Sequence, residues 1–153
     1  MELVMTAGEY CNRNVVVIDK SESVREAVRL MRSRHVGDVV VIERRSQRVI
    51  PRGILTDRDI VVEIVAKDVD LDLVNVGDVM SDQLVTVDSE TKLLDAIKLM
   101  RIKGVRRLPV VNAGGELQGI LTVDDFLELI VEQLSDITGI VSNEMKGEIK
   151  KRH

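Results

Sequence analysis

One segment is written twice: residues 53–59 read G-I-L-T-D-R-D and residues 119–125 read G-I-L-T-V-D-D. Each copy reads as a short apolar strand, Ile54-Leu55 or Ile120-Leu121, that turns into a helix at a residue able to cap it, Thr56 or Thr122. What precedes each copy repeats as well. Val24, Ala27, Val28 and Met31 fall at i, i+3, i+4 and i+7 on one helical face behind the Ser21-Glu22-Ser23 cluster. Leu93, Ala96, Ile97 and Met100 reproduce that stripe behind Thr91, a possible cap, at an offset of 69 (93 − 24). The continuous apolar runs 39–42 and 108–111, patterned like strands covered on both faces, keep the same offset (108 − 39). The two threonines are 66 apart (122 − 56), so the first copy has three more residues in the polar loop expected at 44–52. A kept register of this kind marks an internal duplication, and the fold must use one strand-helix-strand-strand-helix unit twice.

Strands are expected at 15–18, 39–42 and 53–55 in the first half and at 84–87 and 108–111 in the second. A helix over 60–66 runs into an acid-rich linker at 67–72, and a second helix over 126–134 is interrupted at Gly139. The expected boundaries are 1–67 for the first repeat, 68–75 for a linker, 76–138 for the second repeat and 139–153 for a tail. That tail, carrying Lys146, Lys150, Lys151 and Arg152, reads as a frayed helix or a disordered end.

Composition narrows the chemistry. With one Tyr, one Phe and no Trp among 153 residues, the core must be Val, Ile, Leu and Met, and stacking of bases on aromatic platforms is almost excluded. A net charge of −4 opposes nonspecific nucleic-acid binding by the body of the protein. A nucleic-acid role for the basic tail has only four cations to support it. Cys11 is the single cysteine and reads as an unactivated thiol; His35 reads as a boundary residue between a helix and a strand. Two histidines and one cysteine do not make a metal set. No nucleophile, base and orienting group can be assembled, so catalysis is not expected. No apolar run approaches the ~18 residues of a membrane span, and the Met1-Glu2-Leu3 start lacks the basic region of a signal peptide, so the cytoplasm is the expected compartment.

Further motifs carry a family resemblance: V-G-D-V-M-S at 76–81, V-T-V-D at 85–88, the A-x-x-x-M helix at 96–100, R-R-L-P-V-V at 106–111, and G-I-L-T-x-x-D in both halves. Together they resemble a tandem pair of cystathionine-β-synthase (CBS) domains, a Bateman module, over nearly the whole chain. The resemblance implies an α/β (α+β) fold in which two β-α-β-β-α repeats pack sheet to sheet about a pseudo-twofold axis, with two clefts between them. It also implies an adenosine-containing regulatory ligand: AMP, ADP or ATP first, with S-adenosylmethionine or NAD as alternatives, and no catalytic cofactor.

By the same resemblance Asp59 and Asp125 would hold ribose, while Thr56, Arg58, Thr122, Arg106 and Arg107 would hold phosphate. The base would meet backbone or apolar groups of Val16, Val36, Gly37, Met80, Val85, Val105 and Pro109. The Asp59 cleft would face Val85, Val105, Arg106 and Arg107, and the Asp125 cleft would face Val16, Val36, Gly37 and Asp38. Two arginines favour phosphate and a carboxylate opposes it, so the Asp59 cleft is expected to bind a phosphorylated ligand more tightly. The residues themselves leave simpler readings open. T-x-x-D is also a capping box, and Arg106 or Arg107 could form an ion pair with Asp124 or Asp125. Ile60, Val61, Ile64, Val65, Phe126, Leu129, Ile130 and Leu134 exceed what one helix face can bury against a sheet, which predicts a homodimer. Output would pass to a separate effector protein; the rival function is dimeric assembly with unoccupied clefts.

Overall fold

The structure, a computed structural model, describes residues 4–152. It comprises two compact units, residues 1–121 and 122–153. In chain order the elements are α1 (Ala7–Tyr10), β1 (Val17–Asp19), α2 (Val24–Arg34), β2 (Asp38–Arg45), β3 (Arg48–Thr56) and α3 (Asp57–Ile60), which continues as a π-helical turn (Val61–Val65). Then follow α4 (Val76–Val79), β4 (Val87–Asp88), α5 (Leu93–Lys103), β5 (Arg107–Val111), β6 (Leu117–Thr122) and α6 (Val123–Arg152). The strands form two three-stranded sheets, β1-β2-β3 and β4-β5-β6. In each, the first strand lies parallel to the second, Val17 opposite Val40 and Val87 opposite Val110, because a helix makes the crossover between them.

The expected stripe of α2 is the core face: Val24, Ala27 and Met31 are buried against Val39, Val41 and Leu55. Ser23 caps this helix, its hydroxyl accepting from the Glu26 N–H at 3.2 Å. His35 closes it in the left-handed conformation (φ 54°), where the second repeat has Gly104 (φ 66°). Thr91 does not cap α5 in the same way. Lys92 occupies the cap position without a side-chain bond, while the Leu93 N–H donates to the carbonyl of Met5 at 3.0 Å just as the Val24 N–H of α2 donates to that of Val74 at 2.9 Å.

The polar stretch 44–52 is a β-hairpin, not a loop: β2 runs to Arg45, β3 starts at Arg48, and Ser46-Gln47 form a tight turn with both φ values positive (48° and 69°). Val41 opposes Gly53 and Ile42 opposes Pro51, so a bulge absorbs Arg52. Ladder hydrogen bonds need no apolar side chains, which is why the strands outrun the hydrophobic pattern. Glu43 stands among the cations of this hairpin, 3.1 Å from Lys20 Nζ, 2.8 Å from Arg52 Nε and 3.4 Å from Arg45 Nε. Hydrogen bonds from Lys20 and then Arg52 push its carboxyl down to about 2 from an ordinary 4.5. A depressed folded-state value stabilises above the unfolded value and loses that contribution as pH falls through the folded one. The midpoint of denaturant unfolding is therefore expected to fall between pH 4.5 and 2, with a shallower slope in Glu43→Gln; an identical slope in the variant removes this assignment.

The repeats also exchange their leading segments. The Ala7 and Gly8 N–H groups donate to the carbonyls of Thr91 and Ser89 at 2.7 and 2.8 Å, and Asn12 pairs in both directions with Ile120 at 3.0 and 2.9 Å. At the equivalent positions, Val76 and Gly77 donate to Glu22 and Lys20 at 2.8 and 2.9 Å, and Ser81 donates to Ile54 at 3.2 Å. Each bond has its counterpart 69 residues on (77 − 8, 89 − 20), apart from the strand partners, which keep the 66 offset (120 − 54). The segment before each repeat thus lies on the other repeat's sheet, and α4 adds the fully buried Val76 to the first core.

The second unit is α6, a single helix that passes through both Gly139 and Gly147. Gly139 was expected to interrupt it and the residues beyond to fray or lose order. One glycine costs a helix interior only about 1 kcal/mol against alanine, which a 30-residue helix can absorb. His153 and the Met1-Glu2-Leu3 start lie outside the described residues. Among the described residues no helix is long and apolar enough to cross a membrane.

Candidate functional site

The first strand-to-helix junction is built by its own side chains. Thr56 is the cap of α3: its hydroxyl accepts from the Asp59 N–H at 3.1 Å, while Asp59 Oδ2 accepts from the Thr56 N–H at 3.0 Å. The capping-box reading of T-x-x-D therefore holds at this junction. It does not use up the groups concerned. A carboxylate offers about four acceptor positions and the box takes one, while the Thr56 hydroxyl accepts and keeps its proton to donate. Thr122 and Asp125 repeat the arrangement at the start of α6, at 3.0 and 3.2 Å.

Asp59 lines a cleft of about 500 Å³ with Glu63, Lys67, Asp78, Met80 and Ser81. Beside it, a cleft of about 210 Å³ is lined by Ile54, Ser81, Gln83, Leu84, Val85, Val105, Arg106 and Arg107. Ser81 belongs to both. The structure thus brings Val85, Val105, Arg106 and Arg107 together in one depression and puts Asp59 and Met80 in its neighbour. The floor of the smaller cleft is aliphatic and its rim carries guanidinium groups; the larger is rich in carboxylates.

The two arginines are not equivalent. Arg107 Nε donates to Asp38 Oδ2 at 2.9 Å, whereas Arg106 is exposed and has no ion pair among the described residues. Asp38 and Arg107 occupy the same position in the two repeats (107 − 38 = 69), so this bond joins the starts of β2 and β5. The ion pair that Arg107 makes is with Asp38. Two consequences follow for the expected asymmetry. Part of Arg107's charge is already committed, and Asp38 is no longer a bare carboxylate.

The other expected site residues fall as follows. Arg58 is exposed on the first turn of α3, its N–H on Asp57 Oδ1 at 2.8 Å. Pro109 is buried inside β5 and lines neither cleft. Val16 and Val36 pack against the first core, and the Val16 carbonyl extends the β1-β2 pairing by accepting from the Val40 N–H at 3.0 Å. The Gly37 carbonyl accepts from the Asp57 N–H at 2.8 Å, and a Cβ there would sit 3.1 Å from the Asp57 carboxylate. Cys11 is buried, and loss of solvent raises its thiol above the ordinary value, as an unactivated cysteine requires.

Ile54, Ser81, Gln83 and Leu84 were not among the expected cleft residues. Ser81 could have been found: it stands 69 after Asn12 and closes the V-G-D-V-M-S motif. Its hydrogen bond to Ile54 brings the exchanged segment between the two clefts.

Comparison with known proteins gives a consistent picture. The family model described as CBS domain matches residues 7–66 and again 76–132. An uncharacterized protein of Methanopyrus kandleri is 35% identical over 125 residues, covering 82% of this chain and 62% of that protein, so the chain spans less than two thirds of that relative. The crystal structure of CBSX2 in complex with AMP is 28% identical, with a TM-score of 0.67 over 84% of this chain and 97% of that one. The cytosolic domain of the Mg2+ channel MgtE in complex with ATP is 26% identical, with a TM-score of 0.68 over 82% of this chain and 48% of that one.

Proposed function

The chain belongs to the CBS-domain family and carries the domain twice, and from that premise we propose that it binds an adenosine-containing ligand and signals occupancy to a partner protein. The carrying observation is the pair of adjoining clefts that meet at Ser81. Asp59 offers a carboxylate to ribose hydroxyls in one, and Arg106 an uncommitted guanidinium to phosphate at the rim of the other. Ile54, Val85 and Val105 supply an apolar wall for the base. The AMP and ATP complexes of the two structural relatives support the ligand class. AMP, ADP and ATP rank ahead of S-adenosylmethionine and NAD because the rim is cationic. Binding ties residues of the two repeats together, and a ligand that favours the tied arrangement shifts the population toward it.

Asp59 is assigned the tighter phosphorylated ligand and Asp125 the weaker one. The assignment rests on Arg106, for which the first repeat has Gly37 (106 − 37 = 69). A homodimer is proposed from the half-exposed Val61 and Val65 of the π-helical turn, which are 57% accessible in the single chain. The repeat bounds 1–67 and 76–138 are retained as the proposed domains, with the leading segments exchanged between them.

A thermal-shift series tests the ligand class, since a ligand that binds only the folded state must raise its stability. AMP at 100 times its Kd is expected to add about 2.7 kcal/mol, or roughly 5–10 °C for a chain of this size. No shift with AMP, ADP, ATP, NAD or S-adenosylmethionine would leave the assembly role as the better reading.

A further inference from the structure

The cationic rim of the smaller cleft has a countable charge. Arg106 and Arg107 are the charged residues that line it, and Arg107 Nε already donates to Asp38 Oδ2 at 2.9 Å. Both ends of that bond are fixed by strands: Arg107 opens β5, and Asp38 opens β2, where it opposes Thr56 in the ladder with β3. The side chains of Asp38 and Arg107 are 24% and 35% exposed, so water and salt screen the pair only in part. A guanidinium has five N–H groups and Asp38 takes one, so Arg107 keeps donors for a ligand. Its charge, however, is shared. Two arginines and one carboxylate leave the rim one net positive charge, because the repeat that lacks the arginine pair has Gly37-Asp38 in its place.

The adjoining cleft has nothing better for a second phosphate. Its charged lining is Asp59, Glu63 and Asp78 with the single cation Lys67, and Lys67 is paired with Glu63. Three carboxylates and one ammonium leave two negative charges on the far side of Ser81, which lines both clefts. Arg58 lines neither cleft. A single phosphate therefore meets a rim of matching sign. Each phosphate added to it brings a further negative charge, finds no uncommitted cation besides Arg106 in either lining, and is repelled by the carboxylates of Asp38, Asp59 and Asp78. In a cleft partly shielded from water such repulsion acts over several ångströms.

We propose that Asp38, by neutralising one of the two rim arginines, makes this site selective for a nucleoside monophosphate over the di- and triphosphate. The proposal rests on the adenosine-ligand reading and narrows it to one phosphate. It is tested by calorimetric titration of the full chain with adenosine, AMP, ADP and ATP in buffer free of divalent cations. In the parent, AMP is expected to bind about tenfold more tightly than ATP, with ADP between them and adenosine weaker than AMP. Asp38→Asn keeps an oxygen that can accept from Arg107 and removes the charge. It is expected to tighten ATP about tenfold and AMP about threefold, and to leave adenosine unchanged. Asp38→Glu, which keeps the charge, is expected to keep the parent's order. The dependence on phosphate number separates a charge effect from a structural one, since a distorted cleft would change adenosine as well. ATP tighter than AMP in the parent, or an equal change for all four ligands in Asp38→Asn, would overturn the selectivity and leave adenosine binding standing. A parent chain that binds none of the four would remove the ligand reading itself and the selectivity with it.

Discussion

Asp59→Ala is expected to weaken AMP binding by about 10- to 100-fold, measured by isothermal titration, while Asp125→Ala costs less. Hydrogen bonds to a charged group contribute about 1.5–3 kcal/mol, and each 1.4 kcal/mol is tenfold in affinity. Because Asp59 also closes the capping box with Thr56, the alanine variant should lose about 1 kcal/mol of stability as well. Titration is therefore made where unfolding melts show both variants folded. Asp59→Asn separates the two roles: its amide oxygen can still accept from the Thr56 N–H, but the negative charge that accepts ribose protons is gone. The asparagine variant should keep most of the stability and still lose affinity. Equal losses in Asp59→Ala and Asp125→Ala would remove the assigned asymmetry.

The largest structural effect is expected at Gly53. A Cβ on this residue would lie 2.5 Å from the Ser81 carbonyl oxygen and 2.7 Å from Met80 Sδ. Methionine can move, but the Ser81 carbonyl is backbone held by the exchanged segment. Gly119 is placed the same way, its Cβ overlapping Cys11 Sγ and standing 2.8 Å from the Asn12 carbonyl. The first glycine of each G-I-L-T is thus set by the crossing chain, since φ is ordinary at both positions. Gly53→Val should cost about 3 kcal/mol or more, typical of forced overpacking, and lower Tm by roughly 6–12 °C. Displacing Met80 and Ser81 should also weaken AMP binding, because those residues line the clefts. Gly104→Ala provides the contrast: its φ is positive, but a Cβ there meets nothing within 4 Å, so only the backbone cost of about 1 kcal/mol applies. A Gly53→Val protein with the parent Tm would contradict the close crossing.

Local pattern carried the elements well where they answer to local rules. The stripe of Val24, Ala27 and Met31 follows from a 3.6-residue period against a sheet, and the left-handed positions 35 and 104 close equivalent helices. Where partners come from far along the chain, the pattern misled. Thr91 looked like a cap, yet its carbonyl receives the Ala7 N–H and Lys92 stands at the cap position; residues 44–52 looked like a loop, yet their backbones pair. Gly139 looked like a stop, but propensity is a weak term inside a long helix.

The amino-acid order by itself determined that the chain is a duplication, that each copy ends in a capped strand-to-helix junction, and that Asp59 and Asp125 stand at equivalent places. These follow from spacing, and spacing is preserved in any fold that uses the unit twice. Only the tertiary structure decided that the leading segments cross to the opposite repeat, which puts Ser81 between the clefts and requires glycine at 53 and 119. Only it decided that Arg107 is held by Asp38 while Arg106 is left uncommitted. Pairings between residues dozens of positions apart leave no periodic trace, because they depend on which surfaces meet and not on the local twist of the chain.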